Sequence, residues 1–277
     1  MQNITLKRLD ALKARQEKIT ALTAYDATFA ALLSRLEIEI LLVGDTLGMV
    51  FAGHSSTIPV TIDDIVYHVR CVARGNLGAL LLADLPFMTY SSPDLALKHA
   101  ARLMRAGAVA VKMEGGRWLS DTVSLMTRHG IPVCGHLGLT PQSVHSIGGY
   151  SVQGKTQEQA KKIMEDAIAL QSAGIRLLVL ECVPSDLAGN IAERLSIPVI
   201  GIGAGPLCDG QILVTYDMLG MTRGKHFTFV KDFMAQQAKL PIDHETFGVE
   251  RAVMLYRDAV KQGQFPDAAH SFSASTV

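Results

Sequence analysis

The stretch that decides the fold is TQEQAKKIMEDAIALQSAGIRLLVLE, residues 156–181. Its first part predicts an amphipathic helix, because Thr156 begins a capping box and apolar residues then recur on one face. Gly174 fits the left-handed position that closes a helix. The second part, Arg176–Leu180, is a short continuous apolar run, which is typical of a strand buried on both faces. This strand ends at Glu181, so the repeating unit is helix, glycine, strand and acidic residue.

The same unit recurs along the chain. Thr61 and Ser92 have the chemistry of residues that begin helices, and further helices are predicted to end at Gly75, Gly107 and Gly130 in the left-handed conformation. Continuous apolar runs predict eight strands at Ile19–Thr23, Ile38–Val43, Ala79–Ala83, Val109–Met113, Pro132–Gly135, Arg176–Leu180, Pro198–Ile202 and Ile212–Tyr216. Eight strands with intervening helices in 277 residues predict an α/β fold, a (β/α)8 TIM barrel. The last two runs leave little room for a helix between them, so a doubly wound open sheet is the alternative.

The pattern changes after Asp217. Two extra C-terminal helices are predicted near Phe229–Leu240 and Glu245–Gly263. We expect them to cap an end of the barrel or to pack on a neighbouring subunit. The sequence therefore predicts one barrel domain over residues 1–277, with additional helices and a tail in 225–277.

Composition excludes several classes of protein. Lys plus Arg and Asp plus Glu both number 26, and this zero net charge argues against a nucleic-acid partner. A hydrophobic fraction of 48% argues against disorder. No apolar run approaches the ~18 residues that span a membrane, and Met1–Lys18 lacks the apolar core of a signal peptide, so a cytoplasmic protein is expected. The cysteines form no CxxC pair and are predicted to be reduced, buried thiols: Cys71, Cys134, Cys182 and Cys208.

Acidic residues and one histidine follow or end the predicted strands. Because the carboxyl ends of barrel strands meet at one mouth, we expect convergence of Asp45, Asp84, Glu114, His136 and Glu181. Carboxylates so close together repel one another unless a cation lies among them, and oxygen ligands without thiolates favour Mg²⁺ or a similar hard ion. The alternative is that each acid only caps the next helix, the interpretation that we keep for Asp26 and Asp217.

Lys112 is the most informative single residue. It lies two positions before Glu114, on the same side of the strand and one layer deeper in the barrel. A buried lysine costs several kcal/mol unless a charge pairs with it. Lys112 is therefore either half of a structural ion pair or the cation that receives an anionic substrate or enolate.

Three further segments have weaker signals. Gly201–Gly205 resembles a phosphate loop, but Pro206 replaces the last glycine of the dinucleotide fingerprint, so a tight turn is favoured over a nucleotide site. His136 is either a hydrogen-bonded core residue or a substrate contact; its position at a strand end favours the contact. The segment Gly148–Tyr150 lies in a long connection that could form a substrate lid.

Seven stretches between about residues 20 and 220 form a specific pattern: TALTAYD (20–26), LVGDTLGM (42–49), LADLPFM (82–88), VKMEGG (111–116), PVCGHLGLTP (132–141), VLECVP (179–184) and PVIGIGAG (198–205). Together, and in this order, they resemble the ketopantoate hydroxymethyltransferase family. The resemblance implies a (β/α)8 enzyme of pantothenate biosynthesis. Such an enzyme transfers a hydroxymethyl group from 5,10-methylenetetrahydrofolate to 3-methyl-2-oxobutanoate, giving 2-dehydropantoate.

The resemblance also implies roles for individual residues. Asp45 and Asp84 would be Mg²⁺ ligands, which Glu114 would support directly or through water. The keto acid would contact Lys112 and the hydroxyl group beside Asp45, here Thr46 where the family often has serine. The resemblance makes Glu181 the catalytic base. It further implies a ring-shaped homodecamer.

Two competing functions remain open at this point. One is a Mg²⁺-dependent lyase like phosphoenolpyruvate mutase or isocitrate lyase, which also stabilises an enolate but typically has a catalytic cysteine on a mobile loop. No cysteine of this chain lies in such a motif. The other is a barrel without catalysis, which would have lost members of the acidic rim, whereas all of them are present here.

Overall fold

The computed structural model describes residues 3–222, 227–240 and 247–273. Its parallel strands form a closed barrel in chain order, in which the eighth strand pairs with the first. The strands are β1 Ile19–Thr23, β2 Ile40–Val43, β3 Leu80–Asp84, β4 Ala110–Glu114, β5 Val133–Gly138, β6 Leu177–Glu181, β7 Val199–Ile202 and β8 Gly210–Leu213. The predicted (β/α)8 architecture is confirmed, and the open sheet is excluded.

Helices surround the barrel and begin where the capping residues predict. They are α1 Leu6–Ala14, α2 Ala27–Arg35, α3 Leu47–Val50, α4 Ile62–Gly75, α5 Pro93–Ala106, α6 Ser120–Arg128, α7 Val144–Ile147, α8 Gln157–Ala173, α9 Ser185–Arg194, α10 Thr215–Met218, α11 Phe233–Gln237 and α12 Val249–Lys261. Thr61 and Thr156 form capping boxes, and Ser92 accepts a hydrogen bond from the third residue of α5. Gly107 and Gly174 close their helices with φ of 121° and 109°.

Gly75 has a different role from the predicted one. It is the last residue of α4, but its φ is not positive, so the prediction of a left-handed glycine was wrong. A Cβ at this position would lie 2.0 Å from the backbone oxygen of Ala27. The glycine therefore lets α4 approach the start of α2 closely.

The two acids interpreted as caps differ in outcome. Asp26 caps α2, because its Oδ1 accepts a hydrogen bond of 2.9 Å from the backbone of Phe29. Asp217 lies inside α10 and accepts a hydrogen bond from the Thr222 hydroxyl group, so the cap interpretation was wrong there. The four-residue helix α10 begins at Thr215, where the sequence pattern still predicted strand.

Side chains inside the barrel change character from one end to the other. The lower layers are aliphatic and include Leu80, Leu82 and Val179. The next inward positions along the same strands are Asp84 and, after Val179, Glu181; alternation along β4 and β5 likewise gives Ala110, Lys112, Glu114 and Cys134, His136. The interior of the barrel is therefore apolar toward the amino ends of the strands and charged at their carboxyl ends.

The turn after β7 and the helix α12 complete the fold. Gly203 and Gly205, with φ of 60° and 75°, form the predicted tight turn, and no helix lies between β7 and β8. The outer side of β1 is covered by α12, whose Tyr256 hydroxyl lies 2.9 Å from carbonyl oxygens of Ala21 and Gln211. The C-terminal helices thus pack on the barrel.

The two C-terminal helices are shorter than predicted. The structure has helices at Phe233–Gln237 and Val249–Lys261, and the predicted start at Glu245 lies outside the described residues. All the cysteines are free thiols, as predicted, but only three are buried; Cys71 is half-buried, so the prediction of burial was wrong for it. Within residues 3–222, 227–240 and 247–273, no helix combines the length and apolar character needed to cross a bilayer.

Candidate active site

The mouth of the barrel brings together every residue that the sequence predicted for the site. The cavities at this end are lined by Asp45, Thr46, Asp84, Lys112, Glu114, His136 and Glu181. Strand register explains the convergence, because Asp84 pairs with Lys112 across β3 and β4, and Glu114 pairs with His136 across β4 and β5. Residues up to 136 positions apart, from Asp45 to Glu181, therefore share one surface.

Lys112 lies at the centre of this group and is only 4% exposed. Its Nζ is 2.9 Å from Asp84 Oδ1 and 3.5 Å from Glu114 Oε1. Burial alone would favour the neutral amine, but the carboxylates of Asp84, Glu114 and Asp45 together raise the pKa of Lys112 well above its ordinary value. Lys112 is therefore a buried ammonium group, held by ion pairs.

Each of the three buried acids has one oxygen committed to an N–H donor. Asp84 Oδ2 accepts from the backbone of Asp45 at 3.0 Å. Asp45 Oδ2 accepts from Gln142 Nε2 at 2.8 Å, and Glu114 Oε2 accepts from the Gln142 backbone at 3.0 Å. Asp84 Oδ1 is held by the ion pair with Lys112 and not by a directed hydrogen bond.

Burial makes two of these carboxylates poor acids. The loss of solvation, with the neighbouring charge of Asp84, raises the pKa of Asp45 well above its ordinary value, and burial also raises the pKa of Asp84. Glu114 is buried too, but Lys112 and His136 lower its pKa. An added cation would relieve the repulsion among these groups.

His136 connects the buried acids to the more exposed one. Its Nδ1 is 3.2 Å from Glu114 Oε1, and its Nε2 is 3.2 Å from Glu181 Oε2. Burial and Lys112 oppose protonation, but the contacts with the carboxylates of Glu114 and Glu181 raise the pKa of His136 to about 9. His136 thus lies between the carboxylates of Glu114 and Glu181.

Two cavities meet at Glu181. An inner cavity of about 50 Å³ contains the charged groups, and an outer cavity of about 250 Å³ is lined by residues that include Tyr150, Phe227 and Phe229. Both cavities share Thr46, Pro141, Glu181, Ile202 and Val214 in their walls. The side chain of Glu181 is 14% exposed, more than those of the buried acids. It can therefore reach a molecule in either cavity.

The donor set fits a hard divalent cation. In the part of the chain that the structure describes, no three His, Cys, Asp or Glu side chains form a ready-made metal cluster; the carboxylates pair with Lys112 instead. Asp45, Asp84 and Glu114 nevertheless supply only oxygen ligands, and Asp84 Oδ1 accepts no directed hydrogen bond. This chemistry suits Mg²⁺ better than a thiophilic metal.

Two polar residues at the site were missed in the sequence. Gln142 is 6% exposed and contacts both Asp45 and Glu114, and the Tyr90 hydroxyl group donates to Gln142 Oε1 at 2.6 Å. Neither residue ends a strand, so the rule that found the acids could not find them. The only available signal was the Thr140–Pro141 turn, which follows β5 at the mouth.

Comparisons with known proteins agree with one another at the level of sequence. The family model described as ketopantoate hydroxymethyltransferase matches residues 3–268. A 3-methyl-2-oxobutanoate hydroxymethyltransferase 2 from Pseudomonas entomophila is 53% identical over 275 residues, 99% of this chain and 100% of the relative. A 3-methyl-2-oxobutanoate hydroxymethyltransferase from Psychromonas ingrahamii is 54% identical over 98% of this chain and 100% of its own length.

Among solved structures, the similarity is one of fold. Phosphonopyruvate hydrolase in complex with oxalate and Mg²⁺ has a TM-score of 0.60, with 93% of this chain and 96% of that chain covered, but only 13% identity. The TM-score shows a common fold, and at this low identity the similarity says nothing about the reaction.

Proposed function

Because the chain belongs to the ketopantoate hydroxymethyltransferase family, we propose that it transfers a hydroxymethyl group from 5,10-methylenetetrahydrofolate to 3-methyl-2-oxobutanoate, with Mg²⁺ as cofactor. The product would be 2-dehydropantoate. The observation that carries this proposal is the convergence of Asp45, Asp84, Glu114 and Glu181 around the buried ammonium group of Lys112.

Asp45 and Asp84 would hold the cation, with Glu114 supporting it directly or through water. When bound, Mg²⁺ supplies Lewis-acid polarisation to the carboxylate and keto oxygens of the substrate. The protein supplies the rest of the positive charge through Lys112, which is placed to stabilise negative charge that develops on the keto oxygen. The Thr46 hydroxyl group, in the walls of both cavities, would contact the keto acid.

Glu181 would remove the proton from C3 of the keto acid. The C3–H bond breaks, the proton moves to a Glu181 oxygen, and the electron pair passes to the keto oxygen as an enolate. Water would then add to the methylene carbon of the folate, and both C–N bonds of that carbon would break to release tetrahydrofolate. The nucleophilic C3 would bond to the resulting one-carbon unit, whose oxygen would take the proton held by Glu181 and become the hydroxyl group of the product. His136, 3.2 Å from Glu181 Oε2, orients the base, and it would contact the substrate from the floor of the inner cavity.

The outer cavity has features that suit the folate. Tyr150 and Phe227 have ring centroids 5.7 Å apart, and Phe227 stacks on Phe229 with centroids 5.3 Å apart. Flat heteroaromatic rings pack well against such side chains. Since Glu181 lines both cavities, a one-carbon donor in the outer cavity would lie next to an enolate in the inner one. Tyr150 belongs to the segment predicted as a lid, which stays a prediction.

The experiment that tests this function follows 3-methyl-2-oxobutanoate by proton NMR in D₂O. We expect Mg²⁺-dependent exchange of the C3 hydrogen, even without folate. Glu181→Gln should lower the exchange rate by about 10²- to 10⁴-fold, the usual contribution of a general base, while calorimetry shows retained binding of the keto acid.

The matched control is Glu158→Gln, which makes the same chemical change at an exposed position on α8. It should exchange at the wild-type rate. Exchange by Glu181→Gln at the wild-type rate would show that another group is the base, and absence of exchange in the wild-type protein with Mg²⁺ would contradict the enolate mechanism.

No observation favours the lyase alternative. All the cysteines fall within the described residues, and neither cavity has one in its wall. We also propose the homodecamer and the cytoplasmic location that follow from the family resemblance. The exposed Phe51 and Tyr67, which both contact the ring of His68, support burial of this surface in an assembly. Sedimentation velocity would measure the size of the assembly.

A further inference from the structure

Gln142 does not belong to a strand, yet it makes several polar contacts to the acidic site. It lies in the short 3-10 helix Pro141–Ser143 and is buried. Its backbone N–H donates to Glu114 Oε2 at 3.0 Å, and its Nε2 donates to Asp45 Oδ2 at 2.8 Å. The same Nε2 donates to the Leu85 carbonyl at 3.0 Å. One residue thus occupies one oxygen of each of two carboxylates.

Tyr90 determines which way the Gln142 amide faces. The Tyr90 hydroxyl group donates to Gln142 Oε1 at 2.6 Å and is 3.1 Å from the carbonyl oxygen of Glu114. Reversal of the amide would place Oε1 against the Asp45 carboxylate and the Leu85 carbonyl, three acceptors without a proton between them. The phenol therefore keeps the Nε2 donor turned toward Asp45.

We propose that Gln142 and Tyr90 are positioning residues of the cation site: Tyr90 orients the Gln142 amide, and Gln142 orients Asp45 and Glu114 so that their other oxygens face the cation. This inference rests on the proposed function, because it concerns the same site. Hydrogen bonds to the carboxylates that bind a metal commonly change metal affinity by about 10- to 100-fold.

The order of action makes a distinct expectation. If Tyr90 acts only through Gln142, removal of the hydroxyl group has no further effect once the amide is gone. A pair that merely fills space would instead lower stability without any specific change in cation affinity. Affinity for Mg²⁺ in the absence of substrate separates these cases, and it is measured without turnover.

The variants are Gln142→Met, which keeps the length and the backbone donor, Tyr90→Phe, and the double variant. The control is Gln211→Met, since Gln211 is equally buried and donates to the Gly205 carbonyl at 3.0 Å outside the acidic cluster. Calorimetry should show Mg²⁺ binding weakened about 10- to 100-fold in Gln142→Met and about threefold to tenfold in Tyr90→Phe. The double variant should equal Gln142→Met, and Gln211→Met should bind as the wild type.

Wild-type Mg²⁺ affinity in a folded Gln142→Met variant would overturn the proposal while leaving the proposed function intact. A double variant weaker than Gln142→Met by the full Tyr90→Phe factor would overturn the order of action. If Gln142→Met does not fold, Tyr90→Phe decides alone: unchanged affinity refutes the positioning role. A wild-type protein that binds no Mg²⁺ would refute the proposed function as well.

Discussion

Buried acids occur at both ends of the barrel, and the two ends treat them differently. At the amino end, Glu39 accepts hydrogen bonds from the backbone and hydroxyl group of Thr20 through Oε2 and pairs with Lys261 through Oε1. At the mouth, Asp84 Oδ1 also faces a lysine ammonium group, that of Lys112, but it accepts no directed hydrogen bond. Burial of an acid is therefore a poor indicator of function by itself; an oxygen without directed donors is a better one.

Cavity size would have pointed to the wrong end. A cavity of about 540 Å³ lies at the amino end, against about 50 and 250 Å³ for those at the mouth. Arg257 and Lys261 in the wall of the larger cavity already pair with Glu37 and Glu39. Because active sites of TIM barrels lie at the carboxyl ends of the strands, we assign the active site to the smaller cavities at the mouth.

The largest effect is expected at the mouth. Asp84→Asn should weaken Mg²⁺ binding by at least about 100-fold, because it removes a charged ligand and leaves an amide of the same shape. The melting temperature should also fall, because the substitution removes the nearest partner of the buried Lys112 ammonium group and leaves only Glu114, at 3.5 Å. Calorimetry and thermal denaturation measure the two quantities; unchanged Mg²⁺ affinity would refute the role of Asp84.

At the amino end, a change in stability without a change in Mg²⁺ affinity is expected. Glu39→Gln should lower the free energy of unfolding by about 2 kcal/mol, because the amide cannot pair with Lys261. Mg²⁺ affinity and C3 exchange of the folded protein should stay at wild-type values. Urea denaturation gives the stability; a loss of Mg²⁺ affinity here would show that the two ends are coupled, contrary to the comparison.

The smallest effect is expected on the outer wall, away from both ends. Asp64 accepts hydrogen bonds from Thr61, which lower its pKa, so this capping box stabilises the fold above the ordinary carboxyl pKa of about 4 and is lost as pH falls. Thr61→Ala should cost about 1 kcal/mol at pH 7. The loss should shrink toward pH 3 in urea titrations; a loss that is the same at both pH values would contradict the assignment.

Much of this comparison could be predicted from the sequence. Alternation along β4 placed Lys112 below Glu114, and the rule that strand ends meet placed the acids together. The strand β8 was displaced in the prediction, because the polar Gln211 interrupts the apolar run that marks a strand, although its amide is satisfied inside the fold. The role of Gly75 depends on a distant backbone and leaves no local signal.

The two site residues that the sequence analysis missed were missed for the same reason as the role of Gly75. Gln142 and Tyr90 act on partners far away in the chain, and their contacts depend on the packing of two loops. Periodicity and capping describe neighbours within a few residues, so they carry no information on such contacts.

The position of α12 has a consequence for synthesis. The helix α12 is made later than β1 and covers it, with Tyr256 and Lys261 hydrogen-bonded to the backbone of Ala21 and Lys18. A nascent chain that has just completed β8 can close its ring of strands but still exposes the apolar flank of β1. Incomplete chains that end before residue 249 would expose this apolar surface of β1, and we expect chaperones and proteases to act on them.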